Sequence, residues 1–463
     1  MLTYDVDIWS IRKRAGRPKP YELRWRVGSR PHSRSFKLKP QADGRRAELM
    51  AALREREQFD EDTGLPAREL AALSSPTWYE HATAYVLVKW PRAAAKHRAG
   101  IAEALAVVTP TLVTTTRGAP NPQVMRDALY QWAFRAAKGA DGKLAPRHRV
   151  EEPPEAIRMA LSWIADHSMK VNALENPALL RPALDALSLR LDGRKAAENT
   201  ARRKRMVLSN FLRFTVEERG LLSVNPLARV DWTPPETDDE IDFRYVPGPA
   251  LARSFLKAVR DAGPRGEHLE AFFGCLYYAA MRPAEIASLK AVDCTLPANE
   301  EWGELLLGES RPEVGGGWTD DGASYESRSL KRRARGATRS VPIPPVLVRM
   351  LREHIERYGT APDGRLFRAA RGGRVRSTEY CDLWEEARTA VLSEEEAATP
   401  LAEVPYSLRH AGVSLWIKSG VDPVEVARRA GHSIAVLFRF YAKILRGDQS
   451  RSNQLIAQGL NDG

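Results

Sequence analysis

Near the middle of the chain, Thr233-Pro-Pro-Glu-Thr-Asp-Asp-Glu-Ile-Asp242 joins two adjacent prolines to five acidic residues. Proline lacks a backbone donor and carboxylates resist burial, so the stretch reads as an exposed linker and no single core can run through it. The 463 residues must therefore be shared among separate cores, with room for about three domains at roughly 150 residues each. Thr63-Gly-Leu-Pro and Ser74-Ser-Pro mark an earlier break, and Gly220 with Asn225-Pro226 closes a helical region. The expected domains are 1–66, 67–235 and 236–463.

Composition narrows the classes. With 43% hydrophobic and 28% charged residues the chain is globular rather than disordered. Its longest nearly unbroken apolar stretch, Ala271 to Met281, is too short for a bilayer, so no membrane association is expected. Three cysteines (Cys275, Cys294, Cys381) make no disulfide framework, and the first residues lack a secretory pattern, which together predict a cytoplasmic protein. The formal charge of +12 favours a polyanionic partner such as nucleic acid.

The charge is concentrated. Residues 1–39 carry eleven Lys or Arg against three acids, Arg12, Lys13 and Arg14 among the eleven. Tyr21–Val27 and Ser33–Lys39 alternate apolar and polar residues as half-exposed strands do, with Gly28-Ser-Arg-Pro-His as the turn, and a helix is expected around Arg45–Gln58. The region to about Val230 reads as all-α. Its clearest helix, Ala197–Glu218, has an apolar stripe of Met206, Leu208, Phe211, Leu212 and Val216 and the basic run Arg202, Arg203, Lys204, Arg205 near one end. Both basic segments are candidate DNA contacts, or else solvated faces.

The last domain holds the richest pattern. An apolar helix through Phe272, Phe273, Leu276, Tyr277 and Ala280 runs into Met281-Arg282-Pro283-Ala-Glu285-Ile286-Ala-Ser-Leu289, where proline at a first helical position announces a new helix and leaves Arg282 at the junction. A guanidinium there either pairs with Glu285 or aims its rigid donor fork at a phosphate. Arg328 to Arg339 packs six basic residues into twelve without an acid and reads as a basic β-hairpin ending at Pro342, after a Gly- and Asp-rich loop, Glu309–Tyr325. Tyr406-Ser-Leu-Arg409-His410 opens a helix closing at Gly420. Asp422-Pro423-Val-Glu425 starts another by the cap rules, Gly431 stops it, and Ile434, Leu437, Phe438 and Tyr441 follow His432-Ser433 at helical spacing. Val421–Tyr441 alone fits a helix-turn-helix with no chemistry.

Taken in order, Arg282-x-x-Glu285, Lys331, Tyr406-x-x-Arg409-His410, Gly431-His432 and Tyr441 nine residues later resemble the tyrosine recombinase (phage integrase) family. One step departs: Tyr406 stands where the family usually has a histidine, so an imidazole base cannot be transferred to that position. The resemblance covers roughly 245–445. Thr200-Ala-Arg-Arg-Lys-Arg and Asn225-Pro-Leu look like the core-site-binding domain of the same family, and the basic N-terminal sheet like an arm-site-binding domain.

The resemblance implies a mainly α chain with small β-sheets (α+β), and an enzyme that cleaves and rejoins DNA through a 3′-phosphotyrosyl bond. It implies no cofactor and no metal, because arginines and a lysine replace the electrostatic work of a cation. Tyr441 would be the nucleophile, Arg282 and Arg409 the clamp on the non-bridging oxygens, and Lys331 the general acid, with Arg332 or Arg333 as its replacement. His432 would hydrogen-bond the phosphate or accept the tyrosine proton, and Tyr406 would give a supporting contact. Glu285 is expected to orient Arg282, and His410 to be a packed helix residue. The implied partners are double-stranded attachment sites, a homotetramer on synapsed DNA with the tail Arg446–Gly463 docking on a neighbour, and an accessory DNA-bending or excision factor. The competing expectations are a non-catalytic helix-turn-helix regulator and a type IB topoisomerase.

Overall fold

The computed structural model describes residues 1–232, 241–330, 337–445, 453, 454, 456–458 and 460. The architecture is mainly α with small antiparallel sheets. Contacts divide it into two compact units, Met1–Ala93 with His97–Glu236, and Ala94–Lys96 with Thr237–Gly463. Most of the acidic stretch, 233–240, lies outside the described residues.

In the first unit Tyr21–Val27 is the central strand. Val6–Ile8 and Arg12–Lys13 pair along one edge of it and Arg30–Phe36 along the other. The expected second strand thus sits earlier than Ser33–Lys39. The loop is only Gly28-Ser29, and Pro31 is inside an edge strand, where its missing N–H costs no ladder bond. The helix also starts earlier, at Lys39–Arg54, because Pro40 suits the first helical turn. Leu23, Trp25 and Val27 alternate inward onto Leu49 and Phe59 and form a small core.

The following region is mostly helical but not all-α, since Ala136–Lys138 pairs with Leu144–Pro146. Its long helix, Glu198–Glu217, buries Val207, Leu208, Phe211, Leu212 and Phe214, whereas Met206 is 66% exposed. The buried face is therefore rotated from the expected stripe. The cause is an aromatic cluster in which Trp78, His81 and Tyr85 pack on Phe211 and Phe214, and the His81 ring is 2.9 Å from Thr215 Oγ1.

In the second unit the helices Pro249–Asp261, Pro264–Tyr278, Pro345–Tyr358, Ser377–Val391 and Tyr406–Lys418 enclose an aromatic core of Phe255, Phe272, Phe273, Phe367 and Trp384. A three-stranded sheet, Arg339–Ile343, Gly303–Leu307 and Cys294–Thr295, covers one side. The basic segment 328–342 pairs, among its described residues, through Arg328–Ser329 with Glu309–Ser310 and through Arg339–Ile343 with Gly303–Leu307. Its tip, 331–336, lies outside the described residues. The Gly-rich segment before it is folded rather than loose, with Val314 bonded to Ser324 and Trp318 only 2% exposed.

Candidate active site

The site begins where the helix Pro264–Tyr278 stops. Ala280 takes a left-handed backbone (φ 44°), the chain turns, and Arg282 caps the one-turn helix Pro283–Ile286. The Arg282 N–H donates to Glu285 Oε2 at 2.9 Å and its Nη1 to Oε1 at 2.8 Å, while Nη2 donates to the Gly431 carbonyl at 2.8 Å. Glu285 is 2% exposed. From the neighbouring sheet Arg339 reaches the same carboxylate with both Nη atoms, at 3.2 and 2.8 Å. Burial by itself would raise the Glu285 pKa, but the charges of Arg339, Arg282 and Arg409 outweigh it and hold the group at about 2. One carboxylate thus faces three guanidinium groups.

Arg409 projects from the first turn of the helix Tyr406–Lys418 and is wholly buried. Its Nη1 donates to the Ala280 carbonyl and its Nη2 to the Ala430 carbonyl at 2.6 Å. The close approach depends on Gly412, where a Cβ would collide with the Tyr277 carbonyl. Arg409 Nη2 also lies 2.8 Å from His432 Nε2. Guanidinium only donates, so Nε2 accepts and the His432 proton sits on Nδ1. Burial, then Arg409, Arg282, His410 and Arg339, lower the His432 pKa to about 3 and keep the ring neutral. Among the described residues, Arg339 Nε, Arg409 Nε and His432 Nδ1 are buried and have no hydrogen-bond partner. Buried donors of this kind are ordinarily paired, and here they lie in a cluster with excess positive charge. Such a cluster is built for an anion with several acceptor oxygens.

The turn that carries His432 follows the cap rules. Asp422 Oδ1 accepts from the Val424 and Glu425 N–H groups, Pro423 fills the first position, and Gly431 ends Pro423–Ala430 in a left-handed conformation (φ 62°). A side chain on Gly431 would meet the Arg339 and Arg282 guanidinium groups. The next helix, Ile434–Leu445, brings Tyr441 back onto the site. Tyr441 is 1% exposed and its hydroxyl is 2.9 Å from His410 Nδ1. Burial, reinforced by Tyr406, raises its pKa, with Arg409 and Arg282 pulling the other way. The Tyr406 ring meets His410 edge-on at 5.1 Å, and the Arg409 guanidinium carbon lies 5.7 Å from the Tyr406 ring centre.

Of the expected site residues, Arg282, Arg409, His432 and Tyr441 converge in this cluster and Tyr406 flanks it. Lys331, Arg332 and Arg333 lie outside the described residues. Arg12 and Lys13 form an exposed strand, and Arg14 pairs with Glu22 at 2.8 Å. Arg202 and Arg203 are exposed on their helix. Lys204 departs from the expectation of a DNA contact: it is 3% exposed, pairs with Glu103 at 2.8 Å and donates to the Leu189 carbonyl. Its aliphatic stem follows Ala201 and Leu208 to the buried side of the helix, and the ammonium is satisfied there.

Two residues of the cluster, Arg339 and His410, are not marked as site residues by the sequence. In the sequence Arg339 is one charge in a basic run, although it shares the inward face of its strand with Val341 and Ile343. A cation on a core face needs a buried partner, and that was the available signal. His410, expected only to pack, touches the hydroxyl of Tyr441.

No family model matches the chain, and no curated protein does. It is similar to solved structures of the Tn1549 transposon integrase in complex with circular intermediate DNA, at 16% identity and TM-score 0.46 over 64% of this chain and 91% of that one. It is also similar to the XerH site-specific recombinase bound to a palindromic difH substrate, at 12% identity and TM-score 0.41 over 78% and 95% of the two chains. A DNA-bound lambda integrase shows 12% identity and TM-score 0.37 over 62% and 89%.

Proposed function

We propose that the chain is a tyrosine-type site-specific DNA recombinase, an integrase that integrates or excises a phage or other mobile element. The observation that carries the reading is the set of three buried donors with no partner among the described residues, backed by three arginines against one glutamate, next to a buried tyrosine hydroxyl. A helix-turn-helix regulator has no use for Glu285, Arg339 and Arg409 inside the protein.

In this reading Arg282 and Arg409 hold the non-bridging oxygens of the scissile phosphate, and His432 donates from Nδ1 to one of them. Stabilising the charge of the phosphorane in this way is worth about 2.7–4 kcal/mol per donor in comparable oxyanion sites. Tyr441 Oη attacks phosphorus, the bond to the 5′-oxygen breaks, and Lys331 protonates the leaving group, with Arg332 or Arg333 in its place if the register differs. The phosphotyrosyl ester conserves bond energy, so a second 5′-hydroxyl can displace it without a nucleotide cofactor. Glu285 and Arg339 are positioning residues for Arg282.

Attachment-site duplexes, four protomers on synapsed DNA, docking of the tail and an accessory DNA-bending or excision factor belong to the same proposal. The exposed Arg12, Lys13, Arg202 and Arg203 would contact phosphates outside the reacting site. The test is a nicked suicide duplex carrying candidate attachment DNA, incubated in EDTA with the wild type and with Tyr441→Phe. A covalent protein–DNA adduct that the variant lacks is expected. Tight binding with no adduct from the wild type contradicts the proposal.

A further inference from the structure

His410 occupies a place that neither the basic cluster nor the expected set of catalytic residues explains. It follows Tyr406 by four residues on the helix Tyr406–Lys418, so the two side chains share a face. Its ring is held between two tyrosines. Tyr406 packs edge-on at 5.1 Å, Tyr441 contributes its ring at 6.0 Å, and the Tyr441 hydroxyl meets Nδ1 at 2.9 Å. His432 is unsuited to take the phenol proton through Nε2, because that atom already accepts from Arg409. Tyr406, where an imidazole base would be expected by resemblance, offers a phenol.

The geometry points to His410 as the proton acceptor for Tyr441, a catalytic role that rests on the recombinase reading. The Nδ1 lone pair accepts from the tyrosine hydroxyl, which requires the Nε2–H tautomer. As Tyr441 Oη forms its bond to phosphorus, the proton moves to His410 Nδ1 and the bond to the 5′-oxygen breaks with its electron pair on that oxygen. The leaving oxygen takes a proton from the separate acid described above. In religation the steps reverse: the 5′-hydroxyl attacks, and the His410 imidazolium returns its proton to the departing Tyr441 oxygen.

The surroundings suit an acceptor. Burial, with Arg409 adding to it, lowers the His410 pKa to about 4, so the ring is neutral and its lone pair available near pH 7. The charged and titratable groups bearing on it are Arg409, His432, Tyr406 and Tyr441 itself. A bound phosphate would add negative charge beside the imidazolium as it forms, offsetting Arg409.

The experiment uses the full chain and a nicked suicide duplex, comparing the wild type, His410→Asn and Tyr441→Phe in single-turnover adduct formation. His410→Asn keeps a carbonyl oxygen to accept from the hydroxyl but has no base to carry the proton away. The expected result is DNA binding as in the wild type with adduct formation slowed by about 10²–10⁴-fold. Religation from the adduct that does form should slow comparably. A duplex with a 5′-bridging sulfur, whose leaving group needs no proton, should leave that deficit in place. A rate within threefold of wild type, or recovery on the sulfur duplex, overturns the assignment.

Should His410→Asn fail to fold, the wild type on the sulfur duplex still decides. Adduct formation must be slower in D2O, because the remaining proton in flight is that of Tyr441, and equal rates overturn the proposal. If the wild type forms no adduct, or Tyr441→Phe forms one, it is the recombinase reading that fails.

Discussion

Two regions of this molecule use arginine in opposite ways. In the N-terminal sheet, Arg12 and Lys13 stand exposed, and Arg26 spans Asp5 and Asp7 at the surface, with 34%, 59% and 55% of the respective side chains accessible. In the second unit, Arg339 and Arg409 are 2% and 0% exposed, Arg339 sharing the buried Glu285 with Arg282. Water solvates the first set whether or not a partner is present. The second set was taken out of water at a cost of several kcal/mol per ion, offset at Arg339 by the Glu285 carboxylate and at Arg409 by the Ala280 and Ala430 carbonyls, except at the donors left open. The density of charge in a sequence therefore says where a polyanion can touch. Burial of charge says where it can be held.

Breaking the buried pairing should have the largest effect on stability. Glu285→Gln leaves Arg339 without its carboxylate and should cost about 3–5 kcal/mol in a denaturant titration, with adduct formation falling at least 10²-fold as Arg282 loses its orientation. A loss under 1 kcal/mol would put this cluster on the same footing as the surface pairs. Gly431→Ala should come next. A left-handed alanine costs about 1–2 kcal/mol, and its methyl would also push into the guanidinium groups of Arg339 and Arg282. The denaturation midpoint should fall and cleavage slow together, whereas a purely conformational cost would move the midpoint alone.

Acid probes the buried cluster in another way. His410 and His432 have folded pKa values lowered from 6.5 to about 4 and about 3. Between 6.5 and those values the unfolded chain binds more protons than the folded one, so the stability they contribute is complete above pH 6.5 and is lost as the pH falls below it. Glu285, lowered from 4.5 to about 2, adds a further loss beginning below about 4.5. Chemical denaturation from pH 7 to 3 should show the decline, and His432→Asn should flatten its upper part. Stability unchanged from pH 6.5 to 4 would contradict the neutral, buried histidines.

The smallest effects belong to the surface. Asp7→Asn should cost no more than about 1 kcal/mol. Arg12→Gln and Lys13→Gln should barely alter stability, yet each should lower the slope of log affinity against log salt by about 1 if it contacts a phosphate. An unchanged slope would identify that strand as a solvated face.

These contrasts explain what was legible in the sequence. The turn Asp422-Pro423 to Gly431 was readable because each residue has one local reason to be there: an oxygen for the free N–H groups, a ring with its φ already set, and a backbone free to turn left-handed. The spacing from His432 to Tyr441 was readable because helical periodicity survives without tertiary information. The position of the second N-terminal strand was not, because Pro31 serves equally well in a turn or on a sheet edge. Whether Met206 and Lys204 are buried is not legible locally, because the aromatic cluster of Trp78, His81 and Tyr85 decides which face of their helix is buried, and no local rule refers to it. Arg339 and His410 became visible only when sheet and helix brought them to Glu285 and Tyr441. Their partners are 54 and 31 residues away along the chain.

The nucleophile is identified by isolating the adduct formed on a nicked duplex in EDTA, digesting it, and locating the residue bonded to DNA by mass spectrometry. The expected product is a 3′-phosphate ester on Tyr441 with no linkage elsewhere. A linkage to another residue, or a hydrolysed strand with no protein attached, would contradict it.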